Sequence, residues 1–183
     1  NPNKHKNKRE VFCSHRIISA IYVPSLEGFY VDAIEVLTVF FKSLFLSIDK
    51  ESAITIIDNG CCIEVKELIG LYSDRIDTII CHSQNIGKID AQIGAARLSC
   101  EPFITLTDSD ILFKPGWVEN VLSVFNNFPN VGSVSPIPVR KSLWYYTSSV
   151  LHKIIFRKID FNLERIPENT LDYNRYLSSI NWD

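Results

Sequence analysis

The stretch Phe103-Ile104-Thr105-Leu106-Thr107-Asp108-Ser109-Asp110 sets an apolar and β-branched run directly before two carboxylates one residue apart. Such a run predicts a buried strand, and the strands of open α/β sheets present ligand-binding groups at their carboxyl ends. A carboxylate pair at a strand mouth suits a hard divalent cation, which takes one or two carboxylates and completes its shell with water and substrate phosphates. The stretch therefore points to metal-assisted chemistry on a nucleotide or phosphate. A D-x-D spacing recurs by chance, so the neighbouring sequence has to carry the assignment.

Working outward, strands and helices alternate. Ile17-Ile18-Ser19-Ala20-Ile21-Tyr22-Val23 predicts a first strand, closed by Pro24, which cannot continue a central ladder. Residues 30–48 are apolar densely enough for a long, mostly buried helix. Ala53-Ile54-Thr55-Ile56-Ile57 predicts a second strand that stops at the turn Asp58-Asn59-Gly60. A helix over 63–72, a strand Thr78-Ile79-Ile80-Cys81 and a helix over 87–98 lead back to the opening stretch. Beyond it, Pro115 suits the first turn of a helix over 116–125, and Val131-Gly132-Ser133-Val134 predicts one more strand. Repeated β-α-β order implies an α/β fold: a Rossmann-like open sheet, mostly parallel, with helices on both faces. One edge of that sheet then gathers Pro24-Ser25, Asp58-Asn59, the segment 83–88 and the segment 108–110, where such sheets hold ligands.

Composition narrows the class. At 183 residues the chain suits one domain with a single core, and its hydrophobic share of 46% with a charged share of 22% is that of a soluble globular protein. A net charge of -2 gives no reason to expect nucleic acid as a partner. The longest apolar stretch, over 36–48, is interrupted by Lys42 and falls short of the ~20 residues that span a bilayer. Cys13, Cys61, Cys62, Cys81 and Cys100 are odd in number and lack C-x-x-C spacing, against both a disulfide framework and a zinc site. A reducing, cytoplasmic location is expected. Residues 1–10, with Lys4, Lys6, Lys8 and Arg9, predict a flexible basic tail, open to peripheral contact with anionic lipid at the inner face of a membrane. The absence of any Met suggests a fragment of a longer product.

Taken in order, these signs resemble the nucleotide-binding half of GT-A type glycosyltransferases, specifically family 2. The matching elements are Val23-Pro24, Ile57-Asp58-Asn59-Gly60, Asn85-x-Gly87-Lys88 with Ala91, Glu101-x-x-Ile104-x-x-x-Asp108-x-Asp110, and Pro115-Gly116-Trp117, spread over residues 17–125. Departures are Cys61 and Cys100, where the family commonly has Ser and Gly, and a longer first loop over 25–30. The resemblance implies a GT-A domain over 11–183, with residues 126–183 as part of the acceptor side. It also implies a glycosyltransferase that moves a sugar from a nucleotide-diphosphate donor, a UDP-sugar, to a saccharide or lipid-linked acceptor, with Mn²⁺ or Mg²⁺ and with inversion.

Carried over by position, the resemblance implies donor contacts from Pro24, Asp58, Asn59, Asn85, Lys88, Asp108 and Asp110. Asp58 and Asn59 would lie by base and ribose, and an amide oxygen can accept from a uracil N3–H. The same residues also make a turn for backbone reasons alone. Lys88 would face the diphosphate from a helix N-terminus, while Asn85 also suits a helix cap. Asp108 would meet the ribose and Asp110 the metal. An inverting transferase needs a carboxylate base for the acceptor hydroxyl. Downstream Asp160, Glu164, Glu168 and Asp172 are the weak candidates, and Asp183 stands beside them, none in a recognisable context. Trp144, Tyr145, Tyr146, Phe156 and Trp182 could stack on sugars or fill a core. Nucleotidyltransferases and dinucleotide-dependent dehydrogenases would need a Gly-rich loop after the first strand, which Val23-Pro24-Ser25-Leu26-Glu27-Gly28 does not supply. A catalytically silent module of the same fold, binding nucleotide sugar or a protein, is the alternative.

Overall fold

The computed structural model describes residues 13–135, with His152, Ile155, Phe156, Asn174 and Ser178 beyond them. Four strands, β1 (His15–Ile21), β2 (Ser52–Asn59), β3 (Thr78–His82) and β4 (Phe103–Thr107), form one sheet in the order β3-β2-β1-β4. Every pairing is parallel. Between and after them run α1 (Ala33–Ser47), α2 (Ile63–Leu71), α3 (Lys88–Leu98) and α4 (Trp117–Asn127).

Side-chain alternation along the two central strands explains the layering. Ile17, Ile21, Ile54 and Ile56 point to one face, where they pack with Phe40, Phe41 and Leu44 of α1 and Val65, Leu68 and Ile69 of α2. Ile18 and Ile57 point to the other face and meet Ala91 and Ala95 of α3. Continuous isoleucine runs are what strands covered on both sides require. The expected parallel α/β sheet with helices on both faces is therefore the observed one.

Since all strands run the same way, their carboxyl ends share one edge. In register Ile21 lies opposite Asp58, and Ser19 opposite Thr107. The β2 run extends two residues beyond the expected stop, so Asp58 and Asn59 are the last residues of the strand and not a turn after it. Pro115 precedes the α4 N-cap Gly116 and lies outside the first helical turn.

One expected element is absent. Residues 131–134 form no strand. Four residues interrupted by Gly132 have few ladder bonds to offer, and among the described residues none of the four strands pairs with them.

The chain divides into two compact units, Asn1–Val134 and Ser135–Asp183. In the second, the Phe156 amide donates to the His152 carbonyl at 3.1 Å. The basic tail over 1–10 lies outside the described residues, as do Asp160, Glu164, Glu168, Asp172 and Asp183. No helix among the described residues is long and apolar enough to cross a membrane.

Candidate functional site

A pocket of about 570 Å³ opens at the carboxyl edge of the sheet. Its walls come from four places: the exit of β1 with Tyr22, the segment before α1 and that helix's first turns with Tyr30, Asn59 with Asn85 and Lys88, and Asp108 to Asp110 after β4.

The β2 wall is built by a short polar circuit. Asn59, only 2% exposed, donates from Nδ2 to Asn85 Oδ1 at 2.9 Å, and its own Oδ1 accepts from the Ile86 amide at 3.1 Å. Asn85 Oδ1 also accepts from the Gly87 amide at 2.8 Å. Two asparagines thus clasp the segment that leads into α3. Asn85 does not cap α3, whose N-cap is Gly87 with no side-chain cap bond; its Oδ1 closes a turn one step earlier, and the Asn59 amide is engaged on both sides in shaping the wall.

Asp58 is turned away from the pocket. Its Oδ1 accepts from the Gly60 and Cys61 amides at 3.1 and 2.8 Å, and Lys66 Nζ stands 3.8 Å from Oδ2. The Cys61 thiol donates to the Ile21 carbonyl at 3.2 Å, and the Cys62 amide donates to the Val23 carbonyl at 2.8 Å. These bonds fasten the exit of β2 to the exit of β1. Burial pushes the Cys61 thiol up to about 12, so it stays protonated and unreactive at neutral pH. Pro24 is exposed and is not among the lining residues.

The acid wall faces the start of α3. Gly87, at φ +91°, caps that helix, and Lys88 is its first residue. Lys88 Nζ forms an ion pair with Asp108 Oδ1, and both residues line the pocket. Gln92, one turn on and 6% exposed, donates from Nε2 to the Thr107 carbonyl at 2.9 Å. Helix α3 therefore grips the last residue of β4 and fixes where the acid loop begins. Asp110 lines the pocket and makes no ion pair among the described residues.

The outer wall is aromatic. Tyr22 meets Tyr30 edge to face at 6.5 Å, Phe29 meets Tyr30 likewise at 5.2 Å, and Phe29 is 93% exposed. The lengthened 25–30 loop is the sequence signal for this wall; which side chains it would turn inward was not readable. Gln92 gave no sequence signal, because its role depends on a carbonyl fifteen positions away.

Among the described residues no three His, Cys, Asp or Glu side chains come together. A cation here would have Asp108 and Asp110 as its protein ligands, with water and phosphate oxygens completing its shell. That hard, sparse donor set fits Mg²⁺ or Mn²⁺.

Residues 30–176 match Glycosyl transferase family 2. Among solved structures the chain is similar to S. aureus TarS 1-349, at 12% identity and a TM-score of 0.51, over 67% of this chain and 38% of that one. It is also similar to S. aureus TarS 1-349 in complex with UDP, at 14% identity and a TM-score of 0.53, over 71% and 39%. The chain thus spans less than two fifths of the length of either, and at such identities the likeness is one of fold. No curated protein sequence matches the chain.

Proposed function

The chain is a member of glycosyl transferase family 2, and from that premise we propose that its pocket binds a UDP-sugar together with Mn²⁺ or Mg²⁺ and transfers the sugar, with inversion, to a saccharide or lipid-linked acceptor. The observation that carries this reading is the convergence of Asp108, Asp110, Lys88 and the amino end of α3 at one pocket on the carboxyl edge of the sheet. The UDP bound to the similarly folded TarS favours the uridine nucleotide.

Cleavage of the bond from sugar C1 to the diphosphate builds negative charge on the leaving phosphate. A bound divalent cation supplies countercharge where that negative charge grows. Asp110, with no ion-pair partner among the described residues, would hold it, with Asp108 beside it. Lys88 and the first amides of α3 orient an anion from the opposite wall. Tyr22 and Tyr30 line the side of the pocket nearest α1. An inverting reaction also needs a carboxylate to take the acceptor proton, for which Asp160, Glu164, Glu168 and Asp172 are the candidates.

Calorimetry with UDP and GDP, with and without Mn²⁺, tests the site. UDP is expected to bind in a Mn²⁺-dependent manner, and Asp110→Ala to weaken that binding at least about tenfold, as the loss of a charged ligand should. Binding that ignores the metal, or an undiminished affinity in the variant, overturns the site. Hydrolysis of a UDP-sugar in the absence of acceptor then separates an enzyme from a silent binding module.

A further inference from the structure

We propose that the Lys88–Asp108 ion pair is an exchangeable latch: in the free protein Lys88 holds Asp108, and when a cation and a diphosphate enter together, the Lys88 ammonium passes from Asp108 to the diphosphate. The inference rests on the nucleotide-binding reading above and adds to it an order of contacts for these residues.

Three observations carry it. First, the latch is weak enough to open. The Lys88 and Asp108 side chains are 53% and 50% exposed, and ion pairs so exposed to solvent contribute little to stability. Lysine adds a flexible four-carbon stem and freely rotating donors, so its charge can change partners without a change of backbone. Second, the two ends of the latch are mounted on elements fixed to each other. Gln92 of α3 holds the Thr107 carbonyl directly before Asp108, and the Asn59–Asn85 clasp holds the segment directly before Lys88. Opening the latch therefore needs only a side-chain rotation. Third, charge bookkeeping favours the exchange. Asp108, Asp110 and Lys88 sum to one negative charge, so a divalent cation alone must compete with the ammonium for Asp108. A cation arriving with a diphosphate supplies Lys88 with a new anionic partner at the amino end of α3, where negative charge is favoured.

The consequence is a pair of couplings of opposite sign. Lys88 opposes the cation by itself and supports the cation–nucleotide pair. A fixed ion pair would also oppose the cation but would not support the cation–nucleotide pair.

The test uses the full 183-residue chain. Binding of Mn²⁺ alone is read from the electron paramagnetic resonance signal of the free ion, and binding of UDP at saturating Mn²⁺ by calorimetry. Lys88→Gln is expected to bind Mn²⁺ alone about two- to fivefold more tightly, the range of an exposed ion pair, and to bind UDP with Mn²⁺ about tenfold more weakly. In an Asp108→Asn background the same Lys88→Gln change is expected to raise Mn²⁺ affinity less than in the parent, since the latch has nothing to hold. Asp108→Asn by itself should bind UDP more tightly than the parent in the absence of metal, because it frees Lys88. Lys88→Gln that binds Mn²⁺ alone no better than the parent overturns the latch, and so does undiminished UDP affinity in that variant. If the parent binds no UDP with Mn²⁺, the nucleotide-binding reading itself fails. If the parent binds and Asp110→Ala does not, while Lys88→Gln leaves Mn²⁺ affinity unchanged, only the latch fails.

Discussion

Gly60 is required twice over at the exit of β2. Its φ of +87° lies in the left-handed region, and a Cβ there would stand 2.8 Å from the Asn85 amide nitrogen and 2.9 Å from the Gln84 carbonyl carbon. Both obstacles are backbone, which cannot step aside as a side-chain tip can. Gly60→Ala should therefore cost at least about 2 kcal/mol, from left-handed strain plus displacement of the neighbouring loop. Gly70, in α2 with nothing within 4 Å of its Cβ position, is the control; Gly70→Ala should be neutral or stabilise by up to about 1 kcal/mol. Urea denaturation of the two variants checks both, and equal stabilities would refute the packing argument. That β2 ends near Asp58-Asn59-Gly60 was visible in the sequence, whereas the division of labour among these residues was not. Asp58 caps backbone amides and Asn59 braces a loop, and that assignment depends on where Asn85 lies, 26 positions on.

At the scale of elements, α3 organises the site, and its entry loop is the part to perturb. Asn59→Ala removes the acceptor of the Ile86 amide and one partner of Asn85, a loss of about 1–3 kcal/mol for buried polar groups left unpaired. The change should also speed hydrogen exchange at the Ile86 and Gly87 amides and weaken UDP binding while leaving the affinity for Mn²⁺ alone intact. Unchanged exchange at those amides would show that the clasp does not hold the loop. The elements themselves were readable because their signals are local. β1 and β2 are isoleucine runs bounded by turn residues, and α1 carries apolar residues on nearly every turn. The exception, residues 131–134, fails because strand formation needs a neighbour as well as a composition. Asp108 and Asp110 were readable as pocket residues for the same local reason, since they follow a strand whose direction the alternating pattern fixes. The aromatic wall and Gln92 were not, because their places depend on how a loop folds back and on which carbonyl a helix meets.

On the scale of the whole folded unit, the edge of the sheet opposite the pocket holds the strands together and sets the response to acid. Arg16 of β1 donates to Glu101, just before β4, at 2.5 Å and to Thr55 of β2 at 2.9 Å, so one guanidinium spans three segments of the sheet. That hydrogen bond holds the Glu101 carboxyl down at about 2 from its ordinary 4.5. His15 nearby, bonded to Thr105 at 2.8 Å and Ser52 at 3.2 Å and packed against Trp117, is held below its ordinary 6.5 by burial. In both cases the folded state binds its proton less readily than the unfolded chain. The stabilisation is therefore complete above the unfolded value and is lost as pH falls, from about 6.5 downward for His15 and between about 4.5 and 2 for Glu101. Stability measured by urea denaturation should thus decline in two stages on acidification, with Glu101 accounting for about 1–3 kcal/mol of the second. Glu101→Gln should be less stable than the parent at pH 7 and should flatten only the lower stage. Because Glu101 precedes β4 while the pocket lies at the strand's far end, UDP affinity at pH 7 should survive the change. A parent whose stability is level between pH 4.5 and 3, or a variant as steep as the parent there, would remove Arg16–Glu101 as the source of acid sensitivity.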